Sequence, residues 1–178
     1  MKKIVFAIAM LLSASLGVQA QDYTNHKIQV GQTAPELAFP GPDSTIQKLS
    51  EIYKGRVVLL DFWASWCGPC RRASPQIVAL YNKYKDQKFT KAKKGFTIVS
   101  VSLDQSKDAW VAAIAQDGLV WPYHMSDLGS WNSETAKIYG IQSIPQSFLI
   151  GPDGKIIGKY SYGTDPEADI EKMLKKKD

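Results

Sequence analysis

The sequence predicts an α/β domain: a mixed central sheet covered by helices on both faces. Two apolar strands and a hairpin carry that reading. Val57-Val58-Leu59-Leu60-Asp61-Phe62-Trp63 is β-branched or apolar at all positions but one, as expected of a strand buried on both faces. Phe96-Thr97-Ile98-Val99-Ser100-Val101-Ser102-Leu103 reads as a second central strand. Ser147-Phe148-Leu149-Ile150, a Pro152-Asp153-Gly154 turn and Lys155-Ile156-Ile157-Gly158-Lys159-Tyr160 form a hairpin signature. Strands alternating with helices, closed by a hairpin and a last helix, stack into three layers.

Residues 1–20 read as a secretory signal peptide. Lys2 and Lys3 make a positive start, Ile4 to Leu12 is unbroken apolar chain, and Val18-Gln19-Ala20 ends on a small residue. The apolar stretch is short for a membrane span. Position 21 is Gln rather than Cys, so no lipid anchor is indicated, and an uncleaved N-terminal anchor is the competing reading. Export, to the periplasm, is expected. Cleavage after Ala20 would leave 158 residues and lower the formal charge from +5 to +3, since Lys2 and Lys3 leave without any acid. That length suits one domain with a substantial core.

Residues 21–34 read as a short extended lead-in, and 35–178 as the domain. After Cys67, Ile77, Leu80, Tyr81 and Tyr84 recur at helical spacing. Pro69 suits the first turn, and Pro75 is expected to kink this helix. Ser106 to Asp117 reads as a helix with Trp110, Val111 and Ile114 on its apolar side and Gly118 as its stop. A short strand near Pro122–Met125 and a helix over Ser133–Tyr139 follow. Asp165-Pro166 opens the last helix, which carries Ile170, Met173 and Leu174. Lysines gather at 88, 91, 93 and 94 and again at 172 and 175–177, read as solvated loop and helix ends. No nucleic-acid module is recognisable, and a monomer is expected.

Function is concentrated in Asp61-Phe62-Trp63-Ala64-Ser65-Trp66-Cys67-Gly68-Pro69-Cys70, which holds both cysteines of the chain. A Cys-x-x-Cys pair behind an apolar strand and at a helix start suits thiol–disulfide exchange. Backbone N–H groups and the helix dipole there stabilise a thiolate on the first cysteine. A structural zinc site needs about four ligands, and only His26 and His124 are left to supply them. An inert bridge would close a very short loop and remove little unfolded-state entropy. Both remain competing readings, and no metal or other cofactor is expected beyond a Cys67–Cys70 redox disulfide.

The decapeptide resembles the thioredoxin active site, and Trp66-Cys67-Gly68-Pro69-Cys70 matches that family's redox pentapeptide. Strand and helix order resembles a thioredoxin-like three-layer sandwich over most of residues 34–178. Seventy-five positions separate Cys70 from Pro145, room for an extra strand–helix insertion near 104–131. With Pro35-Glu36-Leu37 and Leu49-Ser50, this looks like the exported TlpA-like branch of the superfamily.

The resemblance implies roles residue by residue. Cys67 is the attacking thiolate and Cys70 the resolving thiol; Arg71 and Arg72 read from the residues alone either as positive charge favouring the thiolate or as a solvated helix face. Asp61 matches the buried acid that moves the proton of the resolving cysteine, and isolation among apolar neighbours predicts a raised pKa; a hydrogen-bonded structural Asp is the competing reading. Ile144-Pro145, within Gln142-Ser143-Ile144-Pro145-Gln146-Ser147-Phe148, matches the loop whose proline is cis and whose preceding residue pairs with an extended substrate. Trp66, Gly68 and Pro69 complete the shell, Trp66 as an aromatic shield, with Trp63 packed in the core. Ala73 stands where cytochrome-maturation relatives carry glutamate, so that specialisation is not supported. His124 is given no role.

The implied activity is exported thiol–disulfide oxidoreductase, reducing disulfide-containing client proteins and recharged by a membrane thiol electron donor. The opposite direction, oxidase or isomerase, is the nearest alternative. A thiol peroxidase lacks its proline–threonine–cysteine pattern here, and a copper-binding module would space its cysteines more widely and add a histidine.

Overall fold

The computed structural model describes residues 25–161 and 163–175. The signal-peptide reading of residues 1–20 lies outside the described residues.

Residues 25–34 run through bends and a turn, anchored by buried Asn25, Ile28 and Ala34. Asn25 and Ile28 are buried, and the Asn25 amide donates to the carbonyls of Tyr139 and Gly140 at 2.8 and 3.3 Å. A small antiparallel ribbon follows, β1 (Ala38–Pro40) with β2 (Ile46–Lys48), then the short helix α1 (Leu49–Tyr53). In this region the sequence pattern marks only the flanking Pro35-Glu36-Leu37 and Leu49-Ser50.

The apolar run becomes β3 (Val57–Trp63), every residue buried except half-buried Asp61. It leads through Ala64–Cys67 into α2 (Gly68–Tyr84), whose buried face includes Cys70, Ser74, Leu80 and Tyr84. Pro75 removes one possible donor, yet the helix continues past it. The chain returns as β4 (Phe96–Ser102), fully buried and parallel to β3, so β3-α2-β4 is a crossover unit.

The expected insertion is present, its helix coming before its strand: α3 (Lys107–Gln116) and then β5 (Tyr123–Met125). Ser106 caps α3 by accepting from Ala109 N–H at 3.3 Å. Trp110 and Ala113 make its buried face, whereas Val111, expected on the apolar side, is exposed. A single 3-10 turn, Ser130–Asn132, precedes α4 (Glu134–Tyr139), which Ser133 caps and left-handed Gly140 ends. The hairpin is β6 (Gln146–Ile150) and β7 (Ile156–Ser161), and α5 (Glu167–Lys172) closes the fold around buried Ile170.

The large sheet runs β5-β4-β3-β6-β7, with β4 parallel and β6 antiparallel to the central strand β3. Mixed pairing and flanking helices are the thioredoxin-like architecture expected. The carboxyl ends of β3, β4 and β5 share one edge, so whatever follows those strands converges there.

Candidate active site

Cys67 and Cys70 are joined in a disulfide, with Cα atoms 5.2 Å apart. Cys67 is the N-cap of α2, and its sulfur accepts the Cys70 backbone N–H at 3.1 Å. Released from the bridge, that sulfur faces a donor and the positive end of a 17-residue helix, both of which favour the thiolate. Gly68 and Pro69 form the first turn, where the missing proline N–H costs no helical bond. Each cysteine is only 4% exposed, so access to sulfur is directional.

The loop carrying Cys67 is held from below. Asp104, buried just past β4, accepts from Ser65 N–H at 3.0 Å, Ser65 Oγ–H at 2.5 Å and Ser102 Oγ–H at 2.7 Å. Nothing in the sequence marked Asp104, because the partners of a lone acid are set by the fold. Arg71 is held by polar partners on the Cys67 loop and at the end of α3. Its guanidinium binds Asp117 at 2.5 and 2.8 Å, Gln116 at 3.0 Å and the Ser65 carbonyl at 3.1 Å. Of the two readings of Arg71, the pair with Asp117 weakens the one in which its charge favours the thiolate, because a bidentate carboxylate offsets that charge. Arg72 is exposed.

Asp61 points to the same side of the sheet as α2 and lines a cavity of about 40 Å³ with Cys70, Trp63, Ala73, Ser74, Ile77, Leu119, Trp121 and Pro145. Burial among these groups raises its pKa from 3.8 to about 7, with no charged partner offsetting the desolvation. Part of the residue still meets the surface, so the carboxyl is poorly solvated rather than sealed. Ser100 and Ser147 flank Asp61 at matching positions on β4 and β6. Trp121 donates its indole N–H to Ser100 Oγ at 2.9 Å, which fixes the ring as cavity wall. Ser74 is anchored to Asp117 at 2.8 Å. A cavity of this size has room for a water between Asp61 and Cys70.

The Ile144–Pro145 peptide is cis, and the Ile144 carbonyl oxygen lies 3.8 Å from Cys67 Sγ. The decapeptide and this loop, 77 residues away, thus meet at the sulfur. Trp63 is core, as expected. Trp66 is half exposed beside Cys67, with its ring centroid 5.9 Å from that of Trp131. Trp131 was not anticipated, since the pattern around it gives no period that predicts its position.

The zinc reading lacks its extra ligands. His26 sits exposed near the N-terminal end of the described chain, and His124 is buried with Nε2 bonded to the Trp121 carbonyl at 2.8 Å. Burial lowers the His124 pKa to about 4, so it stays neutral. Among the described residues no three His, Cys, Asp or Glu side chains are grouped to hold a metal ion.

The sequence model of the Redoxin family matches residues 29–174. The thiol-disulfide oxidoreductase ResA of Bacillus cereus is 31% identical over 95% of this chain and 92% of its own length. The C-terminal domain of a putative thiol-disulfide oxidoreductase from Bacteroides thetaiotaomicron superposes with a TM-score of 0.72 at 32% identity, over 83% of this chain and 97% of that one. A putative thiol:disulfide interchange protein DsbE from Chlorobium tepidum does so at 0.61 and 36% identity, over 82% and 92%.

Proposed function

The chain belongs to the Redoxin family and is a TlpA-like thiol–disulfide oxidoreductase of thioredoxin fold, and from that premise we propose that it reduces the disulfides of client proteins through Cys67 and Cys70. The observation that carries the assignment of roles is the asymmetry of the pair. Cys67 caps α2 and faces the Ile144 loop, while Cys70 lies one turn in, on the cavity it shares with Asp61.

In the reduced enzyme the Cys67 thiolate attacks one sulfur of the client cystine. A mixed disulfide forms, and the other client sulfur leaves as a thiolate. Asp61, titrating close to neutral pH, takes the Cys70 proton, directly or through one water. The Cys70 thiolate then attacks Cys67 Sγ, which releases the second client sulfur. Two electrons have passed to the client, and the enzyme holds the Cys67–Cys70 disulfide seen here. Recharging requires a thiol donor. Given the signal-like residues 1–20, we place the protein outside the cytoplasm, in the periplasm, with that donor in the membrane.

Direction follows from the reduction potential of the pair. Thioredoxin lies at about −270 mV and a strong periplasmic oxidant at about −120 mV. Equilibration with glutathione buffers, read by thiol alkylation, should place this couple toward the reducing end. A value near the oxidant would assign the protein to disulfide formation or isomerisation instead.

A further inference from the structure

Six large hydrophobic side chains are exposed among the described residues, and the two aromatic ones, Trp66 and Trp131, stand together beside the disulfide. Both indoles are about half exposed, at 50% and 49%, with ring planes 55° apart. At that tilt they form an open V rather than a closed stack. Exposing two indoles side by side leaves a large apolar area in water, which marks an interaction surface when it borders a site.

The support under Trp131 is rigid. Leu128 and Ser130 adopt left-handed backbone, with φ of 54° and 51°, at a cost of about 1 kcal/mol or more each. Between them Gly129 has no room for a side chain, since a Cβ would lie 2.7 Å from Ser133 Cα. Ser126 Oγ accepts from Leu128 N–H at 3.1 Å, and the Asp127 carboxylate accepts from Gly129 N–H at 3.1 Å and Glu134 N–H at 2.6 Å. Ser126 also donates to the Ser102 carbonyl at 2.8 Å, which ties the loop to the end of β4. A rotamer-poor ring on a fixed loop loses little entropy when a partner covers it.

We propose that Trp131, paired with Trp66, is a specificity-determining residue that receives an apolar or aromatic side chain flanking the client's reducible cystine. The occupant is a segment of client polypeptide. Cys67 is nearly covered, with the Ile144 carbonyl 3.8 Å from its sulfur and half-exposed Trp66 as its chain neighbour, so a client chain bonded to that sulfur comes next to this surface. The inference rests on the exchange reading and deepens it.

The test compares two disulfide-linked peptides that differ only in Trp or Gln next to one half-cystine. The full-length protein reduces each, as wild type, Trp131→Ala and Trp131→Phe. The quantity read is the ratio of the two rate constants, which a partial loss of folded enzyme does not alter. Wild type should favour the Trp peptide by about tenfold, Trp131→Ala should bring the ratio near one, and Trp131→Phe should retain most of it. A wild-type ratio near one, or a ratio unchanged in Trp131→Ala, overturns the proposal. Hydroxyethyl disulfide, assayed with the wild type, separates the two levels. If it is reduced while the ratio is near one, only the docking role falls; if it is not reduced, the exchange reading falls and this proposal with it.

Discussion

At the residue scale the chemistry turns on Asp61, an acid in the middle of an apolar strand. Burial raises its pKa from 3.8 to about 7, so the folded chain holds a proton there that the unfolded chain has released. Between those values the unfolded state binds fewer protons, and stability falls as pH rises from about 4 to about 7. The full span is on the order of 4 kcal/mol. Denaturant unfolding of the oxidised protein should show this slope, and Asp61→Asn should flatten it and gain stability at pH 8. A wild type whose stability does not change over that interval would remove the argument for an uncompensated acid. In the reduced protein Asp61→Asn should slow release of the client from the mixed disulfide while sparing the first attack, which stopped-flow kinetics separates. Equal slowing of both steps would take the proton-transfer role from Asp61. This residue was legible because a carboxyl within Val57–Trp63 violates its surroundings. Asp104 and Trp131 were not, because their meaning lies in partners 39 and 65 positions away, Ser65 and Trp66.

At the scale of elements, α2 carries both cysteines, and its first turn is fastened to the end of α3 by Arg71 and Asp117. The inserted helix therefore braces the exchange site as well as covering the sheet. Asp117→Ala removes the carboxylate that pairs with a partly buried guanidinium, leaving Arg71 its bonds to Gln116 and the Ser65 carbonyl and Ser74 its bond to the Cys70 carbonyl. It should lower stability by about 1–3 kcal/mol, read from the denaturant midpoint at constant slope. A change within experimental scatter would show the clamp to be a surface pair of little consequence. The long elements were readable because their patterns run for several turns or pleats. Ser106 and Ser133 even marked the starts of α3 and α4. The ribbon β1–β2 was invisible, since each strand has three residues and its pairing is set by contacts no local pattern encodes. Val111 shows the opposite failure: Trp110 and Val111 are adjacent, so a helix buries one at the other's expense.

At the scale of the whole molecule, the fold assigns different work to its two ends. The disulfide, the Ile144 loop and the paired indoles gather where β3 and β4 end. Lys88 and Lys175, one from each lysine-rich stretch, meet at the other end. There Lys175 N–H donates to the Lys88 carbonyl at 2.8 Å and Phe89 bridges to Leu174, next to the start of β4. The sequence could show that both stretches exist but not that Lys88 and Lys175 are neighbours. The proposed export also belongs to the scale of the whole chain. If residues 1–20 are a cleaved signal, mass spectrometry of the protein from its native compartment should find Gln21 as the first residue. An intact Met1 terminus on the functional protein would rule out that processing.

The account depends on Cys67 being the sulfur that meets the client, and one trapping measurement bears on this most directly. Cys70→Ser cannot resolve a mixed disulfide, so protein recovered under acid quench should carry client peptides bonded to Cys67, identified by mass spectrometry. Cys67→Ser should carry few or none. Equal trapping on Cys70 in the Cys67→Ser protein, or no mixed disulfide in either variant, would contradict it.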